Sequence, residues 1–427
     1  MTVFIFITSL MGAMTLGMPI AFALMVCGVA LMLQLGIFES QILAQKVVDG
    51  ADNYLLMSVP FFLMAGEIMN LGGLSKRIVD AAMAVVGHIR GGLGYVAIMT
   101  AVVMASVSGS AIADTAAVAV LLIPMMREAG YHVGRTSGLI AAAGIIAPVI
   151  PPSIGFVVFG VTAGLSITKL FLAGIVPGLM LALALVATWW WLSKQENVVP
   201  PARKPAREMV LAVVRAGWAL GLPVIIIFGL KFGVFTPTEA GVVAAAYALF
   251  VSVVVYRALT LRDIYKALLS AAMTSAVIMF LVAASLVSAW LITVANIPDQ
   301  IIALAQPFMG SPILLMFVLM LVVVIVGTAL DFTPTILILT PVLMPIVKQA
   351  GIDPIYFGVL FIMNNAIGMI TPPVGTVLNV VCGVARIRMD DAIKGVMPFM
   401  IAQLIVLLIL IFFPALVTVP AQWFHRP

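Results

Sequence analysis

The chain has 427 residues, of which 64% are hydrophobic and 9% charged, with a formal net charge of +5. Soluble domains carry about 25% charged residues, so this balance excludes a water-soluble enzyme or binding module and points to a chain solvated by lipid. The small positive excess sits in short loops and reads as membrane topology; with no basic face or RNA-binding motif, a nucleic-acid partner is excluded.

Apolar runs close to the roughly 20 residues that a spanning helix needs recur along the whole length. The first, 2–17, has no Lys or Arg before its apolar core and is expected to be a transmembrane helix rather than a cleaved signal. Further spans are expected at 19–36 and 54–70, then a stretch 93–126 interrupted by the polar run Ser106–Thr115. The next segment, 136–165, contains Pro148, Pro151 and Pro152. Proline lacks a backbone N–H and its ring clashes with the preceding turn, so no helix passes unbroken through three of them. A span at 168–193 ends on Trp189–Trp191, expected as an aromatic belt beside Lys194. After the Pro-rich linker 194–208 come spans at 209–232, 236–256 and 267–294. A second interrupted stretch, 312–347, is broken at Gly327–Pro334, a second proline break falls in 354–384 at Pro372 and Pro373, and 391–418 closes the chain. Cys27 and Cys382 both lie in apolar runs without a ligand-spaced Cys or His, which argues against a metal or redox role. No Gly-Lys-Ser/Thr occurs, so there is no ATP-binding P-loop.

The halves on either side of the linker match. Pro124, Gly130, Pro151, Pro152, Gly174 and Pro177 recur as Pro345, Gly351, Pro372, Pro373, Gly395 and Pro398, each 221 positions later. Six matches in one order at one offset mark an internal repeat. The expected organisation is a first repeat 1–193, a linker 194–208 and a second repeat 209–427. Basic residues cluster at Lys76–Arg90, Arg127–Arg135, Lys194–Arg207, Arg257–Lys266 and Arg386–Lys394, and the positive-inside rule assigns all five groups to the cytoplasm. The stretch 93–126 then starts and ends inside, whereas 312–347 starts and ends outside. The expected fold is an all-α polytopic membrane protein, an inverted repeat of about ten transmembrane helices with two opposed re-entrant hairpins.

Irregular backbone at membrane depth is tolerated only where protein or a watery cavity meets it. Two hairpin tips and two helix breaks at repeat-related positions therefore point to the central site of a transporter. Hydroxyls at Ser108, Ser110, Ser153, Thr328, Thr333, Thr371 and Thr376 are hard oxygen donors that suit Na⁺. The plainer alternative is that each bonds its own helix. Asp114 and Asp331 are acids at the tips, ion ligands or helix N-caps. Glu67 is expected to pair with Lys76 or Arg77, and Asn364 and Asn365 to hold the second break or to ligate.

The segments Val59–Glu67, Ser108–Asp114, Pro151–Ser153, Phe235–Gly241 and Ile370–Gly375 together resemble the large membrane subunit of the tripartite ATP-independent periplasmic (TRAP) transporters, and the resemblance covers essentially the whole chain. It implies an elevator-type secondary transporter in the bacterial inner membrane. It further implies Na⁺-coupled import of an organic acid, such as a C4-dicarboxylate or a sugar acid like sialic acid. The implied partners are a separate small four-helix membrane subunit and a periplasmic substrate-binding protein. Carried onto this chain, the Na⁺ neighbourhoods fall at Ser108, Gly109, Ser110, Asp114 and Pro151 in the first half. In the second half they fall at Gly327, Thr328, Asp331, Thr333, Asn365, Thr371 and Gly375. Ser153, Asn364, Thr376 and Asn379 are the residues expected toward the substrate. The competing readings are an H⁺-coupled or exchange carrier using Asp114 and Asp331, and a structural membrane subunit without a transport path.

Overall fold

The computed structural model describes residues 2–196 and 198–425; Met1, Asn197, Arg426 and Pro427, which fall within the expected repeats and linker, lie outside the described residues. The first half runs α1 (Thr2–Thr15), α2 (Ile20–Leu35), α3 (Ser40–Ala51), α4 (Ser58–Leu71), α5 (Leu74–Val86), α6 (Gly92–Ser108), α7 (Ala111–Glu128), α8 (Val133–Gly144), α9 (Ile154–Ala163) and α10 (Ile167–Leu192). The second half runs α11 (Ala206–Lys231), α12 (Pro237–Phe250), α13 (Leu261–Val294), α14 (Ile297–Ala305), α15 (Pro312–Ala329), α16 (Phe332–Gln349), α17 (Pro354–Gly368), α18 (Thr376–Ala385), α19 (Met389–Phe412) and α20 (Ala415–His425). Eight helices among the described residues are long and apolar enough to cross a membrane, both limbs of the second hairpin (α15 and α16) included, whereas α6 of the first hairpin and the broken halves α9, α17 and α18 are shorter apolar helices. Their outer faces carry exposed Phe4, Leu183, Val214, Phe228 and Ile325, which suits a lipid surround.

The breaks fall where the sequence puts proline and glycine. Helix α8 stops at Gly144, because Pro148 disfavours helical geometry at Ala147 and Pro151–Pro152 remove two further N–H groups. Helix α17 stops at Gly368 ahead of Pro372–Pro373, and both Pro–Pro peptide bonds are cis. The first hairpin turns at Gly109, at φ +61°, a left-handed conformation that glycine adopts without a Cβ clash. Ser110 then caps α7 by accepting from the Ala113 N–H.

The two halves pack reciprocally. Helix α6 lies on α8 as α15 lies on α17, α7 on α18 as α16 on α9, and α8 on α19 as α17 on α10. Reciprocal partners of this kind are what a two-fold relation between repeats produces. Around this core stand α2 against α13 and α12 against α4.

Three helices lie where the sequence reading left loops: α3, α5 and α14. Each is short and carries one polar edge, such as Lys76 and Asp80 on α5, so none resembles a span. The aromatic belt is also smaller than expected. Trp190 and Trp191 are exposed and Lys194 Nζ sits 3.4 Å over the Trp190 ring. Trp189 is instead fully buried, and its indole N–H donates to the Gly91 carbonyl at 2.8 Å. Three adjacent residues on a helix point in three directions, so only two of them share the lipid face.

Candidate functional site

Both hairpin tips and both helix breaks meet around one cavity of about 490 Å³. The first tip contributes Gly109–Ile112, the second Asp331–Pro334, and the breaks contribute Pro148 and Met369. The far wall is Pro19–Phe22 at the start of α2 together with Thr274, Val277, Ile278, Phe280 and Leu281 of α13. Of the expected site residues, Gly109, Ser110, Asp331 and Thr333 line this cavity. Its sole charged lining residue among the described residues is Asp331, and no Lys, Arg or His reaches it. Helices α7, α9 and α16 all begin at its edge, at Ala111, Ile154 and Phe332. Each helix start carries unpaired N–H groups and a partial positive charge of about half a unit. An anion there would meet oriented backbone rather than a cationic side chain.

Beside the cavity, each tip is pressed onto the break of its own half. In the first half the bare Gly109 backbone faces the Pro152 carbonyl so closely that no side chain fits between them. Gly144 is packed as tightly against the Thr115 hydroxyl, whose oxygen is buried without a partner. Ser108 Oγ donates to Asp114 Oδ1 at 2.5 Å across the turn, and Asp114 is 1% exposed. Asp114 is therefore not the cap of α7, a place taken by Ser110. Ser153 caps α9 and donates to the Pro148 carbonyl at 2.5 Å, which ties the two sides of the break together. Pro151 belongs to this break but does not reach the cavity.

In the second half an added methyl at Gly368 would lie 3.0 Å from the Gly327 carbonyl oxygen, and one at Gly327 would lie 3.1 Å from Asn365 Oδ1. Asn365 Nδ2 donates to the Phe332 carbonyl at 2.8 Å, while its Oδ1 is buried without a partner. The Gly327 carbonyl oxygen and Asn365 Oδ1 thus both lie where the second tip packs on its break. Asp331 stands at the N-cap position of α16 but makes no side-chain capping bond.

Several expected residues are placed elsewhere. Thr328 gives its hydroxyl hydrogen to Ile325 O of its own helix and Thr371, in the break, gives its own back to Ile367 O of α17, both at 2.8 Å. Gly375 precedes α18 at φ +44° and does not line the cavity. Ser153, Asn364, Thr376 and Asn379, expected toward the substrate, do not line it either. Asn364 points back along the helix pair and donates to Met320 O at 2.6 Å. Asn379 donates to Val374 O at 2.8 Å. The Thr376 hydroxyl oxygen is buried and unpartnered within the break. Glu67 does not pair with Lys76 or Arg77; it accepts from Ser270 Oγ at 2.9 Å, because Arg77 is stacked 3.7 Å over the Tyr256 ring and bonded to Gly72 and Gly73.

Sequence reasoning missed Thr274 and the start of α2. It also missed Gln403, fully buried on α19, whose Nε2 donates to the Ala142 carbonyl at 2.8 Å just before the first break. A lone Gln in an otherwise apolar span was the available signal.

The sequence matches the DctM component of the Tripartite ATP-independent periplasmic transporter family over residues 7–416. It is 55% identical over the full length of both chains to the 2,3-diketo-L-gulonate TRAP transporter large permease protein YiaN of Escherichia coli. It is 36% identical to the sialic acid TRAP transporter large permease protein SiaM of Vibrio cholerae, over 95% of each chain. The fold is similar to the crystal structure of the YdaH transporter of Alcanivorax borkumensis, with a TM-score of 0.64 at 14% identity, covering 91% of this chain and 90% of that one. Full-length identity of this order, together with paired hairpins and paired helix breaks around one cavity, has one meaning: the chain belongs to the DctM family and is a TRAP transporter large permease, a multi-pass protein of the bacterial inner membrane.

Proposed function

We propose that this chain is the membrane pathway of a Na⁺-coupled importer of a sugar acid, working with a periplasmic binding protein and a small membrane subunit. The observation that carries the reading is the cavity of about 490 Å³ with hairpin tips and helix breaks on one side and no basic side chain in its lining. That volume lies within the usual range of about 300–1,000 Å³ for small-molecule sites. A carboxylate entering it would be met by the helix starts at Ala111, Ile154 and Phe332. The rest of its charge would be balanced by Na⁺ held in the oxygen pockets beside it. The first pocket would use Ser108, Gly109 and the Pro152 carbonyl, and the second Gly327, Asn365 and Gly368. The likeness to YiaN over both full lengths favours 2,3-diketo-L-gulonate or a related sugar acid. Because the cavity lies between the reciprocal core and the α2–α13 wall, exposure to either side would come from sliding of that core along the wall, as in an elevator. The alternative is H⁺ coupling through Asp114, favoured by its deep burial.

Uptake of radiolabelled 2,3-diketo-L-gulonate into proteoliposomes holding the membrane complex, with the binding protein outside, tests this. The expected result is uptake that requires an inward Na⁺ gradient. Full uptake in Na⁺-free buffer under a pH gradient would overturn Na⁺ coupling in favour of H⁺.

A further inference from the structure

The far wall of the cavity is drawn largely from α13, a helix of 34 residues. Thr274 stands 13 residues after its start at Leu261 and 20 before its end at Val294. At 1.5 Å per residue these are about 20 and 30 Å of helix, so Thr274 lies at membrane depth. Around it the wall is apolar, with Val277, Ile278, Phe280 and Leu281 on α13 and Phe22 on α2.

The hydroxyl accounting along α13 sets Thr274 apart. Ser270 donates to Glu67 Oε1 at 2.9 Å, Ser285 to Val282 O at 2.7 Å, Ser288 to Leu24 O at 3.0 Å and Thr293 to Ala289 O at 3.0 Å. Ser275 is buried and turned away from the cavity. Thr274 alone of these six lines the cavity. An exposed threonine on an apolar helix ordinarily hands its hydrogen to the preceding turn, as Thr8 does to Phe4 O at 2.7 Å. The Ser270 carbonyl is in reach of Thr274 by that rule, yet the Thr274 hydroxyl makes no such bond and has no partner among the described residues. A bare hydroxyl against hydrocarbon is costly; one that opens on a cavity is ready for a ligand.

The cavity sorts its chemistry by side. Charge belongs to the hairpin side, where Asp331 stands and where α7, α9 and α16 begin. Ser110 on that side is already committed as the cap of α7. Thr274 offers the opposite side a neutral group that both donates and accepts, which is the complement of an alcohol. We infer that Thr274 is a specificity-determining residue, its hydroxyl sharing a hydrogen bond with a hydroxyl on the uncharged tail of the substrate while the carboxylate lies at the helix starts. This rests on the sugar-acid reading above and names the side chain that selects hydroxylated acids over plain ones. A single neutral bond is small beside the charge held at the tips, so it sorts cargo without anchoring it.

The test is the affinity of the purified membrane complex, in Na⁺ and without binding protein, for two acids. One is 2,3-diketo-L-gulonate; the other is 2-oxohexanoate, a monoacid of the same carbon number without hydroxyls. Both are titrated calorimetrically. Thr274→Val keeps the shape and loses the hydroxyl, whereas Thr274→Ser keeps the hydroxyl and loses a methyl. Thr274→Val is expected to weaken the sugar acid roughly 3- to 10-fold and to leave 2-oxohexanoate within about 2-fold. Thr274→Ser is expected to keep the wild-type preference. Equal weakening of both acids by Thr274→Val, no weakening of either, or a Thr274→Ser protein that behaves like Thr274→Val overturns the inference. Wild-type complex that binds neither acid would sink the sugar-acid reading itself and this contact with it, a result distinct from the other three.

Discussion

Gln403 on α19 donates its side-chain N–H to the Ala142 carbonyl at 2.8 Å, so a residue of the second half holds the last turn before the break of the first. The bond crosses the repeat boundary two residues before Gly144. Gln403→Leu removes this donor, but it also removes Gln403 Oε1, which is buried without a partner. The two effects oppose each other, and interhelical hydrogen bonds in membranes average about 0.6 kcal/mol. Loss of stability in detergent should therefore stay near that small figure. Half-saturating Na⁺ should rise more clearly, by roughly 10-fold, as for other residues that orient ion-binding groups. A thermal melt alongside Na⁺-dependent uptake separates the two. A large drop in melting temperature with normal Na⁺ dependence would make Gln403 a packing residue only.

The two tips should respond unequally to loss of a hydroxyl. Ser108→Ala strips the hydrogen bond from a buried carboxylate, a charge-assisted interaction of about 1.5–3 kcal/mol. Thr328→Ala removes a hydroxyl already satisfied by its own helix at Ile325. The expectation is a Na⁺ requirement shifted at least 10-fold by the first change, following about 1.4 kcal/mol per decade, and less than about 2-fold by the second. Equal effects would mean that Thr328 rotates out to serve the ion.

Membrane orientation follows from the placement of Lys and Arg. Single cysteines introduced as Lys204→Cys and Arg388→Cys should be protected from an impermeant thiol reagent added outside intact cells. Ser311→Cys and Asp353→Cys should be labelled. Modification at 204 from outside would reverse the assignment of both hairpins.

Transport of a singly charged acid should be driven by membrane potential. Bringing in one negative charge against an inside-negative potential costs about 2.3 kcal/mol per 100 mV. Two Na⁺, one for each proposed ion site, would convert that opposition into assistance of the same size. A valinomycin-imposed, inside-negative K⁺ potential at fixed Na⁺ gradient should speed uptake. No effect, or slowing, would mean that one pocket does not carry an ion.

The parts of this molecule that could be read from sequence are those set by backbone chemistry at single residues. Pro148, Pro151 and Pro152 stop a helix wherever they stand, and Gly109 turns a chain wherever φ must be positive, so the breaks and the tips were visible. The direction of a side chain is a tertiary matter. Asn364 and Asn365 are neighbours with the same chemistry, yet one reaches Met320 and the other Phe332. A helix turns about 100° between them, and no composition rule chooses which faces the tip. Trp189 was read with its exposed neighbours for the same reason. Helix α5 escaped notice because a 13-residue helix with one apolar side lacks the length by which spans are recognised.

The cavity is lopsided in a way that bears on how a cargo could travel. Its hairpin side carries Ser110, Asp331 and Thr333, with three helix starts behind them. The opposite wall, from α2 and α13, offers a single side-chain hydroxyl, that of Thr274, and one helix start, at Ile20, among aliphatic and phenyl groups. A molecule bound here would be gripped from one side and merely touched from the other. Lateral displacement along such a wall breaks dispersion contacts of about 0.1–0.2 kcal/mol apiece, which re-form one step further on. If the core slides as proposed, the α2–α13 face would serve as a low-friction bearing, and a charge introduced at Val277 or Leu281 would act as a brake.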